Sequence, residues 1–254
     1  MKILRYQANG QSQFGILEGD TVFSASGDVF SGLSKGSEVG KLDDLKLDVP
    51  IQPGKIIAIG LNYAKHVTEN DPTREQPTEP VVFMKPISSL IAHGENIELP
   101  DDDNIHYEAE LCIVMGKQAK RIKQSDWEQY VLGYTCGNDV SHRTFQAKDG
   151  QWVRAKGFDT FCPLGPVIET DMDAQNAAVI SRLNGETRQD NNTNDLIFGI
   201  PFLLEFVTNV MTLEPGDVIM TGTPEGVGAL KPGDTIEVEV GGVGVLSNPV
   251  VARD

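Results

Sequence analysis

His106-Tyr107-Glu108-Ala109-Glu110-Leu111-Cys112-Ile113-Val114-Met115 is polar at its start and apolar to its end. A stretch of this kind reads as one strand running into a core. On a strand, residues two apart share a face, so Glu108 and Glu110 project side by side, with His106 on the same face. Neighbouring carboxylates repel and need a cation or a shared proton. Hard divalent cations prefer such oxygen ligands. A solvent-facing acidic strand is the plainer alternative, because charged side chains are usually exposed. The apolar run that follows favours a buried, functional pair.

Towards the C-terminus, Gly133-Tyr134-Thr135-Cys136-Gly137-Asn138-Asp139-Val140 is a second strand candidate, uncharged until Asp139. Asp139 makes a third ligand, although an aspartate there also serves as a turn or helix cap. Between the two strands, Ser125-Asp126-Trp127-Glu128 matches a capping box and predicts a helix closed at Gly133. After Asp139 come Arg143, Gln146 and Lys156. Arg143 can grip a carboxylate with two parallel hydrogen bonds, and Gln146 can hydrogen-bond it. Alternation over Trp152-Val153-Arg154-Ala155-Lys156 puts Trp152, Arg154 and Lys156 on one face, and spacing does not choose between the two cations. A helix is predicted from about Pro201 to Val210, with proline in its first turn. The turns Glu214-Pro215-Gly216-Asp217 and Lys231-Pro232-Gly233-Asp234 each precede a β-like run. Thr221-Gly222-Thr223-Pro224-Glu225-Gly226 is a Gly-rich turn whose N–H groups and hydroxyls, at Gly222 and Thr223 among others, can hold an anion. It lacks the Gly-Lys-Ser/Thr ending of a P-loop.

Towards the N-terminus, Lys55-Ile56-Ile57-Ala58-Ile59-Gly60 has the pattern of a buried strand, and Val81-Val82-Phe83-Met84 is another, ended by Lys85-Pro86. A short helix is predicted over Tyr63 to Glu69. There His66 and Glu69, three apart, can touch, and a carboxylate can orient an imidazole as a general base; an exposed helical ion pair is the alternative. Asn70 to Pro80, polar and holding three prolines, reads as a mobile loop. Phe14 to Phe23 carries a hairpin signal around Gly19-Asp20. The Ser- and Gly-rich stretch after it has little periodicity and ends in a Pro/Gly cluster near Pro50-Ile51-Gln52-Pro53-Gly54. We read residues 1–52 as a small β-rich N-terminal domain and 53–254 as the catalytic one. The class is α+β and β-rich, without the alternation of a barrel or Rossmann fold.

Composition narrows the function. A net charge of −16 disfavours nucleic-acid binding, and an acidic protein with an anionic substrate must build a local positive site. No apolar run is long enough to span a membrane, and the first residues lack a signal-peptide pattern, so the expected location is cytoplasmic. The three cysteines form no C-x-x-C pair, and Cys112 lies in an apolar run as a buried thiol. His93 and His142 have no partner in sequence and read as structural or surface residues.

Several stretches together resemble the fumarylacetoacetate hydrolase family: Gly60-Leu61-Asn62-Tyr63-Ala64-Lys65-His66, Phe83-Met84-Lys85-Pro86, Tyr107-Glu108-Ala109-Glu110-Leu111, Asn138-Asp139-Val140-Ser141-His142-Arg143, Ala155-Lys156-Gly157-Phe158-Asp159 and Thr221 to Gly228. The similarity covers roughly residues 55 to 252, and six motifs in order are far more specific than one. The small N-terminal domain also resembles that of bacterial members. The resemblance implies a rolled mixed β-sandwich, a homodimer and a bound Mg²⁺ or Mn²⁺. It implies Glu108, Glu110 and Asp139 as metal ligands, His66 and Glu69 as a water-activating dyad on a lid, and Lys156 as the active-site lysine. It places Arg143, Gln146 and Thr223 at substrate-contacting positions. His142 departs from the family pattern, which generally has a small residue there.

These parts imply an enzyme that forms the enolate of a small anionic 2-oxo acid. Acylpyruvate- or fumarylpyruvate-type hydrolysis and oxaloacetate-type decarboxylation come first. The alternatives are hydroxyheptadienedioate isomerase or carboxymethyl-oxohexenedioate decarboxylase chemistry. A non-catalytic, metal-stabilised binding module would need neither His66 nor Lys156. A metal phosphoesterase would call for several histidine ligands or a second metal.

Overall fold

The computed structural model describes residues 1–69, 71–101 and 104–253. The chain opens with β1 (Lys2–Ala8), β2 (Gln11–Glu18), β3 (Thr21–Asp28), β4 (Gly32–Lys41) and β5 (Leu47–Asp48). There follow β6 (Ile56–Gly60), helix α1 (Ala64–Thr68), β7 (Val81–Lys85), β8 (Leu90–Ile91) and β9 (Ile97–Leu99). The centre holds β10 (Ile105–Tyr107), β11 (Ala109–Met115), β12 (Val131–Asn138), β13 (Ser141–His142), α2 (Arg143–Lys148), α3 (Val153–Lys156) and β14 (Cys162–Glu169). The rest is the hairpin β15 (Ala178–Leu183) and β16 (Glu186–Asn192), α4 (Ile200–Val210), β17 (Val218–Met220), β18 (Gly228–Ala229), β19 (Thr235–Val240) and β20 (Gly244–Ala252).

Among the described residues these strands make a twelve-stranded mixed sheet, ordered β4-β3-β2-β1-β14-β12-β11-β17-β6-β7 with β5 and β8 off the path. A five-stranded sheet (β16-β15-β19-β20-β9) and a three-stranded one (β13-β10-β18) accompany it. The predicted Gly19-Asp20 hairpin is β2–β3. The aperiodic Ser/Gly stretch contains β4, an edge strand with mostly exposed side chains; its backbone alone is engaged, so it carries no apolar period. Strand β1 pairs with β14, Lys2 opposite Glu169 and Ile3 opposite Ile168, which joins the first strands to the central sheet.

Strand β11 is buried on both faces, and its alternation divides the core. Leu111, Ile113 and Met115 face the five-stranded sheet and α4; Cys112 and Val114 face the opposite cluster with Ile56, Ala58 and Val218. Truncating Ile113 to alanine in such packing costs about 2–5 kcal/mol. Helix α4 forms as predicted, with Pro201 in its first turn and Ile200, Leu203, Leu204 and Val207 on its buried face.

Three local expectations are corrected. His106 to Met115 is not one strand: β10 belongs to the three-stranded sheet and β11 to the twelve-stranded one, with Glu108 at the joint. The helix expected from the capping box is a 3-10 segment, Gln124–Tyr130, because the Ser125 hydroxyl bonds Asp126 and not the backbone ahead of it; Gly133 lies inside β12. Trp152 to Lys156 is not extended, since Val153–Lys156 is helical and turns Arg154 outward to Asp149 while Lys156 is buried. Of the predicted loop over Asn70 to Pro80, Asn70 lies outside the described residues, and 71–80 hold neither helix nor strand. No described helix is long and apolar enough to cross a membrane.

Candidate active site

Two neighbouring strand pairs break at the same level. The β10–β13 pair lies in the small sheet and the β11–β12 pair in the large one. The chain crosses between them at Glu108 and at Asp139. The crossing is latched: the Glu108 N–H donates to Asn138 Oδ1 at 2.9 Å, and the Asp139 N–H donates to the Glu108 carbonyl at 2.9 Å. Glu110 follows as the second residue of β11. The three carboxylates converge, each offering an oxygen within 4.8 Å of the others, and all are buried.

Their partners differ. Glu108 meets Arg143 through Oε1 and Lys156 through Oε2, each at 2.6 Å. Asp139 meets Lys156 through Oδ2 at 2.6 Å and Lys85 through Oδ1 at 2.5 Å. Glu110 has no such cation; the Gly222 N–H donates to its Oε2 at 2.7 Å. Burial pushes the Glu108 carboxyl up, but the Arg143 and Lys156 charges overcome this and hold it far below the usual range. Burial raises the Glu110 carboxyl well above 4.5, and the charges of Asp139 and Glu108 push it the same way. Burial disfavours the Lys156 ammonium, yet Asp139 and Glu108 outweigh it and raise its pKa. Three buried carboxylates therefore face three cations, with one carboxylate under-compensated. A buried oxygen-only set in which Glu110 has no ion pair among the described residues fits a hard divalent cation, which Glu108, Glu110 and Asp139 would hold.

Helix α1 stands across from this cradle. His66 Nδ1 lies 3.0 Å from Glu69 Oε2, and the Gly226 N–H donates to Glu69 Oε1 at 2.7 Å. Burial raises the Glu69 pKa, but the bonds from His66 and Gly226 prevail and set it below the ordinary carboxylate value. A proton held on Nδ1 leaves Nε2 as the basic atom. Leu61, just before the helix, has φ of 58°, and Asn62 fixes that strained turn by bonding Phe198 and the Thr221 carbonyl.

The Gly-rich turn does hold anions, but they are the protein's own: Gly222 binds Glu110 and Gly226 binds Glu69. Gly222 has φ of 102°, and a Cβ there would sit 2.8 Å from that of Asn62, so only glycine fits. The Thr223 hydroxyl accepts from Gln189, which also receives the Ala109 N–H. Arg143 is shared between Glu108 and Gln146 Oε1, the latter at 2.7 Å. His142 is buried, stacked on Phe145 with centroids 4.1 Å apart, and His93 accepts the Ser247 N–H. His106 lines the space outside the cradle, and burial and then Arg143 lower its pKa to about 4, so the ring is neutral at pH 7.

The chamber against the cradle, walled by Glu108, Glu110, Lys156 and Thr223, has about 20 Å³, room for an ion or a water. Leu61, His66, Gln146 and Trp152 also line an outer chamber of about 510 Å³, open to Arg143 and Asn104. A larger cavity of about 770 Å³ lies between the N-terminal strands and the β19–β20 hairpin; Lys2, Lys46, Asp43, Glu95 and Glu237 line it, and among the described residues no carboxylate set converges there. Sequence reading gave no role to Lys85, Asn62, Asn138 or Gln189. Asn62, Lys85 and Asn138 fall within the motifs that carry the resemblance, but nothing in their spacing assigned them a role, and Gln189 lies outside those motifs.

Residues 55–251 match the family profile described as fumarylacetoacetate (FAA) hydrolase, C-terminal, and residues 1–50 match the one described as Rv2993c-like, N-terminal. An uncharacterized protein of Archaeoglobus fulgidus is 45% identical over 252 residues, 98% of this chain and 96% of that protein. The oxaloacetate tautomerase fahd2, mitochondrial, of Xenopus laevis is 40% identical over 236 residues, 87% of this chain and 73% of that one. The crystal structure of 5-carboxymethyl-2-hydroxymuconate delta-isomerase from Mycobacterium smegmatis superposes with a TM-score of 0.91 at 42% identity, covering both chains fully. Maleylpyruvate hydrolase from Sphingobium, in complex with manganese(II) and pyruvate, superposes with a TM-score of 0.84 at 29% identity, again over the whole of both chains.

Proposed function

We propose, from the premise that this chain belongs to the fumarylacetoacetate hydrolase family, that it is a divalent-metal enzyme that forms the enolate of a small 2-oxo acid and cleaves a C–C bond in it. The observation that carries this reading is the buried cradle of Glu108, Glu110 and Asp139, with Lys156 on one side and the His66–Glu69 pair across a small chamber. Relatives named as an isomerase, an oxaloacetate tautomerase and a maleylpyruvate hydrolase support the reading, and the last is in complex with manganese(II) and pyruvate.

Glu108, Glu110 and Asp139 would hold Mg²⁺ or Mn²⁺, which when bound would supply positive charge to polarise a keto oxygen and stabilise enolate charge. The chain's own groups do the rest. The Lys156 ammonium adds a fixed positive charge beside that oxygen. Arg143, oriented by Glu108 and Gln146, presents its guanidinium to a substrate carboxylate. His66 Nε2 takes a proton from water as its oxygen adds to the C4 carbonyl of an acylpyruvate; the C3–C4 bond then breaks, its electron pair passes to C3 as the enolate, and the proton held on His66 is returned to C3. Cradle carboxylates and cations balance one for one, so a divalent ion leaves two positive charges in excess, and a dianionic substrate restores neutrality.

A second reading, proton transfer between keto and enol forms, is favoured by the relative named oxaloacetate tautomerase. Metal-loaded protein given oxaloacetate or an acylpyruvate separates the two. Release of pyruvate supports cleavage. Deuterium uptake at C3 without pyruvate supports tautomerisation. Neither, in the presence of Mg²⁺ or Mn²⁺, overturns both. The homodimer and cytoplasmic location expected from the sequence belong to the same proposal, and sedimentation velocity and fractionation test them.

A further inference from the structure

Lys85 has no part in the chemistry above, yet its side chain is 0% exposed. It ends β7, directly before Pro86. Its three ammonium protons meet three acceptors: Asp139 Oδ1 at 2.5 Å, the Lys156 carbonyl at 2.6 Å and the Val140 carbonyl at 3.5 Å. The first is a cradle carboxylate. The second is the backbone of the residue whose own ammonium reaches Glu108 and Asp139. One buried cation therefore ties a metal ligand to the helix end that aims the active-site lysine.

We propose that Lys85 is a positioning residue: it reserves Asp139 Oδ1, so that Asp139 meets the cation through one oxygen, and it pins the end of α3, so that the Lys156 ammonium points into the cradle. The inference rests on the metal-enzyme reading above.

The surroundings of β7 agree. A Cβ on Gly157 would lie 2.6 Å from the Val153 carbonyl of α3 itself and 3.0 Å from Pro86 Cδ, so a side chain there would displace the end of α3 where it meets the residue after β7. Phe83, also on β7, lies under the Lys156 ammonium at 5.1 Å from its ring centroid and packs edge-on against Trp152. The strand thus supplies both the wall and the clamp for Lys156. Removing the Lys85 charge would free a second Asp139 oxygen for the metal and delete a like charge that repels it. The same change would unpin Lys156 and remove positive charge near a bound anion. The two effects have opposite signs.

The experiment uses full-length Lys85→Met and calorimetric titration, first with Mn²⁺, then with oxalate added to the Mn²⁺-loaded protein. Mn²⁺ binding is expected to tighten about tenfold, while oxalate binding weakens about 10- to 100-fold. A lysine that merely supports the fold would weaken both or move neither, and either result overturns the proposal. Gly157→Ala displaces the end of α3 without touching charge; it should weaken oxalate and leave Mn²⁺ binding as in the wild type. If Lys85→Met does not fold, Gly157→Ala decides, and unchanged oxalate affinity overturns the aiming role. Wild-type protein that binds neither Mn²⁺ nor oxalate would overturn the metal-enzyme reading, and this one with it. Wild-type binding of both with the wrong split in the variants sinks Lys85 alone.

Discussion

The two sides of the site are built on different principles. The cradle sits where paired strands cross between sheets, fully buried, its carboxylates gripped by Lys85, Lys156 and Arg143. The base side is a helix of five residues, Ala64–Thr68, with one buried side chain, Val67. It is held to the Gly-rich turn by the Glu69–Gly226 hydrogen bond and a loose Lys65–Glu225 pair at 3.5 Å. A metal site needs oxygens that do not wander, so it is set in the sheet. On the proposed mechanism the base admits and releases substrate, which calls for a support that opens at low cost, and a short helix with one buried side chain fits that demand.

The contrast breaks most severely at Glu108. Glu108→Ala leaves Arg143 and Lys156 without their carboxylate, and we expect a loss of about 3–5 kcal/mol in stability together with all metal binding and turnover. Chemical denaturation and Mn²⁺ titration check both; activity surviving in metal-free protein would end the proposed mechanism. His66→Ala strikes the other side. It should lower kcat about 10²- to 10⁴-fold while the rise in Tm on adding Mg²⁺ stays as in the wild type, and a lost Tm rise would mean that the sides are not independent.

The pH dependence sharpens the comparison, because the two sides carry carboxylates shifted in opposite directions. Glu110 is raised above its ordinary 4.5, so its favourable contribution to the metal-free fold is complete below that value and disappears as pH climbs through the raised one. The metal requires the deprotonated form, so the Tm gain from Mg²⁺ should grow with pH over that same window. Glu69 is lowered, so its contribution is complete above its ordinary 4.5 and vanishes as pH falls through the lowered value. Hydrogen-exchange protection factors, corrected for the intrinsic pH dependence, should therefore fall at Val67 and Thr68 on acidification before they fall at the β11 amides. The smallest effect is expected at Lys65: its pair with Glu225 is exposed, and Lys65→Ala should change stability by less than about 1 kcal/mol in thermal denaturation.

Much of the cradle was legible in sequence. Glu110 precedes an unbroken apolar run and Asp139 ends an uncharged one, and both patterns report burial directly. The buried strand Ile56–Gly60 and the helix Ile200–Val210 were legible for the same reason. The break at Glu108 was not, because a strand that changes sheets keeps its alternation. The role of Lys85 was invisible because its partners lie 54 and 71 residues away. Spacing left Arg154 and Lys156 tied; the resemblance separated them, and the fold shows why, since a single helical turn points one out and the other in. The capping box misled because the Ser125 hydroxyl prefers its neighbour's carboxylate.

The joint at Glu108 has a consequence for how such proteins diversify. Glu110 belongs to the large sheet and Glu108 and Asp139 lie at its edge, whereas β10, β13 and β18 form a separate faceplate that brings His106 and the start of α2 to the outer chamber. A faceplate that meets the large sheet at Glu108 and Asp139 can be recut, strand by strand, between those fixed points. Grafting β10 and β18 from a relative with another substrate should accordingly exchange the acids accepted and leave Mn²⁺ affinity where it was.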